Sequence, residues 1–456
     1  MECKEENPGH TQRQEGQPGE EAGKRLRETL RGNRVSGKGG TYAVCSAHAA
    51  VIKAAIQQSL EDGSILHIES TSSQVNQFGG YIGATPGRFA YSIRVAAENA
   101  GLPWRRVLLG GDHLGPFPWR SEPSSSALKK ACELVHDCVV AGYQKIHLDA
   151  SMPCADDQAT GIPEETIAER AAILCRAAEE AARELPSGSA PLFYVIGTEV
   201  PAPGGESVGA QAPAVSTAEH ANRTLETFRL AFAQLGLSSA WERVGALVVQ
   251  PGIEFGSSTI FDYDPVKAQP LLSALTSNSG IVFEAHSTDY QTHTALAHMV
   301  RDHFAILKVG PWLTFAYREA VLALSSIERE LLGTTVGRQL SKVREALQGV
   351  MLRDPTHWKA YYQGSEDEVR RDFVYSLSDR CRYYWNQPPV QEELARLFEN
   401  LGAKPIPVSL ISQYLPATYE AIRAGELQAS PEPMIQYHIR RILHAYANAC
   451  SAKQMA

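Results

Sequence analysis

The 456-residue sequence lacks long apolar runs: no stretch approaches the roughly 20 consecutive apolar residues that a membrane-spanning helix needs. It also lacks an excess of basic residues, since 43 Lys and Arg stand against 51 Asp and Glu, a net charge of −8. A mildly acidic chain offers no electrostatic footprint for DNA, RNA or an anionic membrane surface. We therefore expect neither a nucleic-acid partner nor a membrane partner.

Closely spaced cysteines are absent as well. The eight cysteines are spread along the chain without a C-x-x-C pair, which indicates reduced thiols rather than a disulfide framework or a cysteine zinc site. The first twenty residues are rich in Glu, Gln, Gly and Pro and contain no apolar segment of the kind found in secretory signals. Together these features predict a cytoplasmic protein.

After residue 40 the sequence shows a regular alternation of short apolar runs and longer amphipathic stretches. Continuous apolar runs are typical of strands buried on both faces of a parallel sheet. Pro163–Leu185 and Thr217–Leu235 are two of the amphipathic stretches, and their periodicity and first turns predict helices. The eight apolar runs are Tyr42–Ala47, Ile65–Ile68, Val107–Leu109, Ile146–Leu148, Phe193–Ile196, Ala246–Val249, Ile281–Phe283 and Ala305–Val309.

Eight strands alternating with helices predict an α/β fold, the (β/α)8 TIM barrel. A doubly wound open sheet is the alternative, but such a sheet usually has fewer strands and a cofactor fingerprint. Neither G-x-G-x-x-G nor G-x-x-x-x-G-K-[ST] occurs in the sequence. The barrel is therefore the favoured fold.

The chain divides into three predicted parts. Residues 1–40 form a flexible polar tail with a short basic helix at Lys24–Arg31, because this composition buries too little apolar surface to order itself. Residues 41–335 form the barrel. Residues 336–456, where strand patterns stop and aromatic-rich helical segments take over, form a helical C-terminal subdomain packed on the barrel.

Polar residues follow every predicted strand, and in a TIM barrel the carboxyl ends of the strands carry the functional site. Asp112, His113, Glu199 and His286 would supply nitrogen and oxygen ligands suited to Zn²⁺, Mn²⁺ or a similar divalent ion. We take His113, Glu199 and His286 as the metal ligands, since they follow three different strands.

The other polar residues at the predicted mouth are candidate substrate ligands. Lys308 would either form a Schiff base or pair with a carboxylate or a substrate anion, and Arg380 and Arg382 would reach a phosphate from the C-terminal region. For any single residue of this set, a purely structural, hydrogen-bonded role is an equal alternative. The candidates are Glu69, Gln74, Asn76, His147, Asp149, Gln250, Asp289, Lys308 and Arg380.

Nine segments between about Tyr42 and Ala447 closely resemble the family of Z subunits of D-tagatose-1,6-bisphosphate aldolase. The resemblance implies a subunit that supports the folding and full activity of a separate class II, zinc-dependent catalytic subunit in tagatose, galactitol and N-acetylgalactosamine catabolism. It also implies binding of ketohexose phosphates, and we expect an oligomer. An older label for the family, tagatose 6-phosphate kinase, is disfavoured because the sequence has no nucleotide-phosphate loop. The segments are ESTSSQVNQFGGY, GGDHLGP, KIHLDASM, GTEVPAPGGE, VQPGIEFG, EAHSTDYQT, HFAILKVGP, YSLSDRCRYYW and ISQYLP.

The same resemblance implies an alternative function, because relatives of the family are metal-dependent 4-epimerases of fructose and tagatose or their 6-phosphates. Carbon 4 of a 2-ketose is not adjacent to the carbonyl, so its proton is not acidified, and transient oxidation would need a nicotinamide site that the sequence does not show. Retro-aldol cleavage and re-formation of the C3–C4 bond remains. Asp112 or Glu284 would then be the catalytic acid or base. Gln250-Pro251-Gly252 stands where class II aldolases have a His-Gly pair, which is consistent with a site that fails as an aldolase. We expect the aldolase-subunit function first, with binding of a ketohexose or its phosphate by the lone protein.

Overall fold

The computed structural model describes residues 20–158, 161–199, 212–276, 278, 280–333, 337–402 and 405–451. Eight parallel strands form a closed barrel in which each strand pairs with its neighbours in sequence. The barrel closes where β1 pairs with β8, with Thr41 opposite Ile306 and Val44 opposite Val309. The predicted TIM barrel is confirmed. The strands are β1 (Thr41–Val44), β2 (Leu66–Thr71), β3 (Val107–Leu114), β4 (Lys145–Leu148), β5 (Phe193–Ile196), β6 (Val244–Val248), β7 (Val282–Ala285) and β8 (Phe304–Val309).

Burial on both faces explains why the strands are visible as apolar runs. Every residue of β3 and β8 is buried. Strand β3 continues beyond its apolar run through Gly110 and Gly111. A Cβ atom at Gly110 would lie 2.7 Å from Cγ of Glu69 on the neighbouring strand. The glycine therefore leaves room for a carboxylate inside the barrel.

Helices follow the strands and cover the outside of the barrel. Thr85, Thr217 and Thr292 each accept a hydrogen bond from the backbone N–H three residues later, which fixes where three of these helices begin. In the described parts of the chain, no helix is both long and apolar enough to cross a membrane. The helices are α1 (Glu20–Ser36), α2 (Ala49–Asp62), α3 (Pro86–Asn99), α4 (Ser124–Val140), α5 (Glu164–Ala182), α6 (Ala218–Gln234), α7 (Ser238–Trp241), α8 (Pro265–Ala268), α9 (Ser273–Thr276), α10 (His293–Arg301), α11 (Pro311–Leu332), α12 (Val343–Arg353), α13 (Glu366–Tyr375), α14 (Pro388–Gly402), α15 (Val408–Tyr414), α16 (Pro416–Arg423) and α17 (Pro431–Cys450).

Helix α1 packs across the amino-terminal end of the barrel. Ala22, Leu26 and Leu30, spaced four residues apart on one face, are buried in a cluster with Phe193 and Val248 of the barrel. The structure therefore differs from the expected flexible tail over this segment, because an apolar stripe on a basic helix has a barrel end to cover. Residues 1–19 of the predicted tail lie outside the described residues.

The chain after the barrel is helical, as predicted, and its last helix returns to the barrel. Helix α17 packs against α2, α10 and α11. The carbonyl of Cys450 accepts a hydrogen bond from the N–H of Gly40 at 2.9 Å. The hydroxyl of Tyr446 donates to the carbonyl of Thr288 at 2.7 Å. The helical region is thus tied to both the first and the last units of the barrel.

A short 3-10 segment, Arg380–Tyr383, is held against α11 by a buried ion pair. Nη1 of Arg318 donates to Oδ1 of Asp379 at 2.7 Å, and Oγ1 of Thr314 donates to Oδ2 of the same carboxylate at 2.5 Å. Because α11 starts at the carboxyl end of β8, this pair places the segment at the mouth of the barrel. We call Arg380–Tyr383 the arginine segment.

Candidate active site

The carboxyl ends of the strands open into a cavity of about 280 Å³. This volume is close to the lower end of the range for small-molecule sites, roughly 300–1,000 Å³. The barrel and the C-terminal helical region both contribute to its walls. The ionisable side chains that line it are Asp112, His113, His286, Asp289, Lys308, His357, Arg380, Arg382, Tyr81, Tyr361, Tyr383 and Cys45.

Four side chains at the floor of the barrel form a compact group, which we call the floor cluster: Asp112, His147, Glu284 and His286. Each offers one ligand atom, and these atoms all lie within 4.8 Å of one another. Nε2 of His286 lies 3.1 Å from Oε1 of Glu284, and Nδ1 of His147 lies 3.2 Å from Oδ1 of Asp112. All four are buried, so their charges and lone pairs meet in a region of low dielectric.

Two members of the floor cluster, His286 and Asp112, are held in the protonation states that a divalent ion requires. Burial lowers the pKa of His286 to about 4, so its imidazole is neutral near pH 7. Burial opposes ionisation of Asp112, but Lys308 and His113 hold the pKa of this carboxyl well below its usual range. Nε2 of His147 is buried and makes no hydrogen bond within the described part of the chain. Two imidazoles and two carboxylates fit Zn²⁺, Mn²⁺ or a similar ion.

Two buried lysines balance the carboxylates of the floor. Nζ of Lys145 lies 2.8 Å from Oε1 of Glu69 and 2.7 Å from Oε2 of Glu284. Nζ of Lys308 lies 2.7 Å from Oδ1 of Asp112 and also contacts Glu69. Burial opposes the charge of Lys308, but Asp112 and the other anionic neighbours raise its pKa well above the usual value. A lysine held protonated in this way is a charge partner and not a Schiff-base nucleophile.

The predicted metal set of His113, Glu199 and His286 is not brought together, and of these only His286 belongs to the floor cluster. Glu199 accepts a hydrogen bond from the hydroxyl of Ser216 and lies 3.8 Å from Nε2 of His220. Its carboxylate is thus directed to the start of α6. The chain that follows it, residues 200–211, lies outside the described residues.

His113 lies beside the floor cluster with its ring held by a carboxylate. Its Nδ1 is 2.8 Å from Oδ2 of Asp149, and its ring centre is 4.9 Å from that of His286. Burial lowers the pKa of His113, but Asp112 and Asp149 outweigh it and raise the pKa above the usual value. The backbone of His113 has a φ of 48°, a left-handed conformation that costs a residue with a side chain roughly 1–2 kcal/mol. The fold thus keeps this imidazole in a fixed, strained position.

The predicted substrate ligands separate into three groups. Gln74, Asp289, Lys308 and Arg380 line the cavity. Glu69, His147 and Asp149 are buried in the floor and bind other side chains there. Asn76 and Gln250 use their amide oxygens to accept backbone N–H groups of their own loops, and neither lines the cavity.

Aromatic and basic side chains that were not assigned to the site from the sequence form its outer wall. The rings of His357 and Tyr383 stack with centres 4.4 Å apart and planes 13° from parallel. Tyr81, from the loop after β2, packs edge-on against Tyr383 at 4.6 Å. Because residues of the barrel loops and of the helical region meet at this wall, the barrel floor and the helical region form one site.

Lys145 and His67 were also not predicted from the sequence, although each lies two residues before a predicted site residue.

The family model for D-tagatose-1,6-bisphosphate aldolase subunit GatZ/KbaZ-like matches residues 26–451. The chain belongs to this family. The match includes the barrel, the floor cluster and the arginine segment, so every residue discussed above as part of the site lies in the portion that the GatZ/KbaZ-like family shares. The resemblance inferred from the nine sequence segments is confirmed.

A solved structure similar to this GatZ/KbaZ-like chain comes from Sinorhizobium meliloti 1021 and is described as a probable tagatose 6 phosphate kinase. It is 39% identical with a TM-score of 0.82, and the match covers 90% of this chain and 100% of that chain. The YdjI aldolase from Escherichia coli K12 matches at 9% identity and a TM-score of 0.40, over 83% of this chain and 98% of that one. Fructose-bisphosphate aldolase from Campylobacter jejuni matches at 11% identity and a TM-score of 0.41, and the match covers 83% of this chain and 93% of that chain. These last two similarities are too low to carry an argument.

Proposed function

We propose that the protein serves as the Z-type subunit of a class II tagatose-bisphosphate aldolase. It works beside a separate catalytic subunit and binds a ketohexose or ketohexose phosphate at the barrel mouth. The observation that carries this proposal is the floor cluster, a buried group of two imidazoles and two carboxylates that opens into a cavity, in a chain of this family. A partner that acted only through its outer surface would have no use for a buried group of imidazoles and carboxylates that opens into a cavity.

Asp112, His147, Glu284 and His286 are the residues that would hold a divalent ion. Bound there, such an ion supplies Lewis-acid polarisation of sugar oxygens. This assignment replaces the predicted ligand set. It also gives Asp112 and Glu284, which were predicted to be catalytic acids or bases, the role of ligands.

The proton-transfer role passes to His113 in this proposal. Its Nδ1 is held by Asp149 at 2.8 Å, and its ring lines the cavity. A carboxylate that fixes one ring nitrogen leaves Nε2 to give or take a proton at a sugar hydroxyl. The ammonium of Lys308 then stabilises negative charge that develops on a neighbouring sugar oxygen.

The older kinase label and the 4-epimerase alternative are weaker. Among the described residues, the strand ends that line the cavity carry histidines, carboxylates and a lysine instead of a glycine-rich phosphate loop. The comparisons with known proteins do not favour the epimerase. Neither function is therefore proposed for this chain.

Two measurements test the proposed function. Calorimetric titration of the lone, Mn²⁺- or Zn²⁺-loaded protein with fructose 6-phosphate and tagatose 6-phosphate is expected to show binding, and His286→Ala is expected to weaken it. His293→Ala, which removes an exposed histidine at the start of α10, is the matched control. Addition of the wild-type protein is also expected to raise the activity of a class II tagatose-bisphosphate aldolase catalytic subunit. A protein that binds neither sugar phosphate and leaves that activity unchanged would refute the proposal.

A further inference from the structure

The arginine segment places the phenol of Tyr383 at the wall of the cavity. The ring of Tyr383 stacks on that of His357, with centres 4.4 Å apart, and the ring of Tyr81 packs against it edge-on at 4.6 Å. One of these contacts comes from the helical region and the other from the loop after β2. The phenol is therefore held in position by two separate parts of the chain.

The hydroxyl of Tyr383 accepts a hydrogen bond and keeps its own proton for another acceptor. Nη2 of Arg382 donates to the hydroxyl oxygen at 2.9 Å. Among the described residues, the hydroxyl of Tyr383 donates to no acceptor of the protein. The adjacent Tyr384 differs, because its hydroxyl donates to the carbonyl of Asp354 at 2.6 Å. A phenol has one O–H donor, and that of Tyr383 is available to a ligand in the cavity.

The two arginines of the segment make this hydroxyl a strong proton donor. Nη1 of Arg382 donates to the carbonyls of Ser378 and Asp379, which fixes the guanidinium beside the phenol. Burial opposes ionisation of Tyr383, but the positive charges and hydrogen bonds of Arg382 and Arg380 outweigh burial and hold the pKa of this phenol below its usual value. A more acidic hydroxyl donates more strongly to an oxygen acceptor and gives up its proton more readily where negative charge develops.

Other ionisable groups lie around Tyr383, and each keeps one charge state above neutral pH. Burial raises the pKa of Tyr81, and it raises the pKa of Tyr384 to about 12, so both phenols stay neutral. Burial and the two arginines lower the pKa of His357, so its imidazole is neutral as well. Asp289, which lines the same cavity, is ionised above its pKa of about 6. Above about pH 7, Tyr383 is therefore the group of this set that changes its charge.

We propose that the hydroxyl of Tyr383 is the hydrogen-bond donor that recognises a ketohexose in this cavity, by donating to one of its carbonyl or hydroxyl oxygens. Asp112 and His286 of the floor cluster line the same cavity, so a sugar that fills it contacts the floor cluster and the arginine segment together. This inference rests on the proposed function and adds to it the residue of the helical region that binds the sugar. The two arginines are positioning residues, because they act on the sugar through the phenol.

The test uses the link between sugar binding and the charge of Tyr383. A sugar that accepts from the O–H binds only the neutral phenol, so its binding raises the pKa of Tyr383, and its affinity falls as the phenol ionises. Free fructose and free tagatose are the probes because they are uncharged, whereas a phosphate would raise the pKa of a nearby phenol by repulsion alone. The ultraviolet absorbance of phenolate is followed in the full-length, Zn²⁺-loaded protein from about pH 7 to about pH 10, with and without saturating sugar.

We expect one phenol of the wild type to ionise below the usual tyrosine pKa of about 10, and we expect this titration to be missing in Tyr383→Phe. Either sugar is expected to raise its midpoint by about one pH unit, which corresponds to a preference of about tenfold for the neutral phenol. In calorimetry at about pH 7, Tyr383→Phe is expected to bind either sugar about tenfold more weakly than the wild type. Tyr91→Phe, at a tyrosine of α3 that is 70% exposed, is the matched control and is expected to bind like the wild type.

A sugar that lowers the midpoint or leaves it unchanged would overturn this inference, as would equal sugar affinities of the wild type and Tyr383→Phe. Binding of fructose 6-phosphate or tagatose 6-phosphate without binding of either free sugar would also overturn it and leave the proposed function standing. If Tyr383→Phe does not fold, the wild-type titration with and without sugar still decides, because burial keeps the neighbouring phenols of Tyr81 and Tyr384 neutral in this range. A wild type that binds no free sugar and no sugar phosphate would overturn both proposals.

Discussion

Removal of Arg318 is the sharpest test of how the helical region is attached to the barrel. Its guanidinium is 1% exposed and donates to Oδ1 of Asp379 at 2.7 Å and to the carbonyl of Ser376 at 3.2 Å. In Arg318→Met the side-chain volume is largely kept, but Asp379 becomes a buried carboxylate with no cationic partner, and it accepts only from the hydroxyl of Thr314 and from the weak thiol donor of Cys381. Breaking one side of a buried ion pair costs about 3–5 kcal/mol. We expect the free energy of unfolding to fall by this amount.

Urea unfolding followed by circular dichroism measures the change, and a double-mutant cycle assigns it to the pair. Asp379→Asn alone is expected to cost a similar amount, because it leaves the Arg318 cation buried. The double variant is expected to cost clearly less than the sum of the two. Arg344→Met, at an exposed arginine of α12, is the control and is expected to stay within about 0.5 kcal/mol of the wild type. A loss below about 1 kcal/mol for Arg318→Met, or strict additivity in the cycle, would refute the reasoning.

Three further predictions follow from other parts of the structure. His286→Ala is expected to weaken binding of a divalent ion at least tenfold, whereas Glu199→Ala is expected to leave this binding unchanged. Elemental analysis after metal loading and dialysis distinguishes the two variants. A loss of bound metal in Glu199→Ala would contradict the assignment of the floor cluster as the metal site. Leu26→Ala is expected to lower the free energy of unfolding by about 2–4 kcal/mol, because it leaves a cavity between α1 and the end of the barrel. Val35 on the same helix is 90% exposed, so Val35→Ala is expected to have almost no effect. Chemical unfolding measures both, and equal effects of the two substitutions would contradict the packing of α1 on the barrel. Burial raises the pKa of Asp289 from 3.8 to about 6, which means that the folded protein favours the neutral carboxyl. The stability that this neutral carboxyl contributes is complete below about pH 4 and is lost as the pH rises through 6. The free energy of unfolding of Asp289→Asn is therefore expected to rise by roughly 3 kcal/mol relative to that of the wild type between pH 4 and pH 7. Unfolding curves of both proteins at each pH measure this, and a difference between them that does not change with pH would contradict the prediction.

The barrel could be predicted from the sequence because its strands are buried on both faces, so that local composition alone reveals them. The segment around α1 was harder to predict. Its apolar stripe of Ala22, Leu26 and Leu30 is short and lies among basic residues. Only the presence of an open barrel end gives that stripe something to cover.

The site was predicted in outline, since the residues after the strands do gather at one mouth, but its ligand set depended on a finer pattern. Ionisable residues recur at every second position: His67 and Glu69 on β2, Lys145 and His147 on β4, and Glu284 followed by His286 after β7. Successive side chains on a strand alternate between its faces, so this spacing marks the barrel interior. Which of these residues meet across the barrel depends on its closure, as when Lys145 reaches both Glu69 and Glu284. The sequence around Glu199 predicts its place after β5 but not the direction of its side chain.

The hydrogen bond between Gly40 and Cys450 has a consequence for the order in which the protein is made. The segment before β1 leaves the ribosome early, whereas α17, which covers it and packs on α2 and α11, is made long afterwards. Until α17 has been made, the nascent chain therefore carries an uncovered apolar seam between the first and last units of the barrel, the kind of surface that chaperones bind. A molecule that stops short of α17 is thus distinguishable by its surface from one that contains this helix.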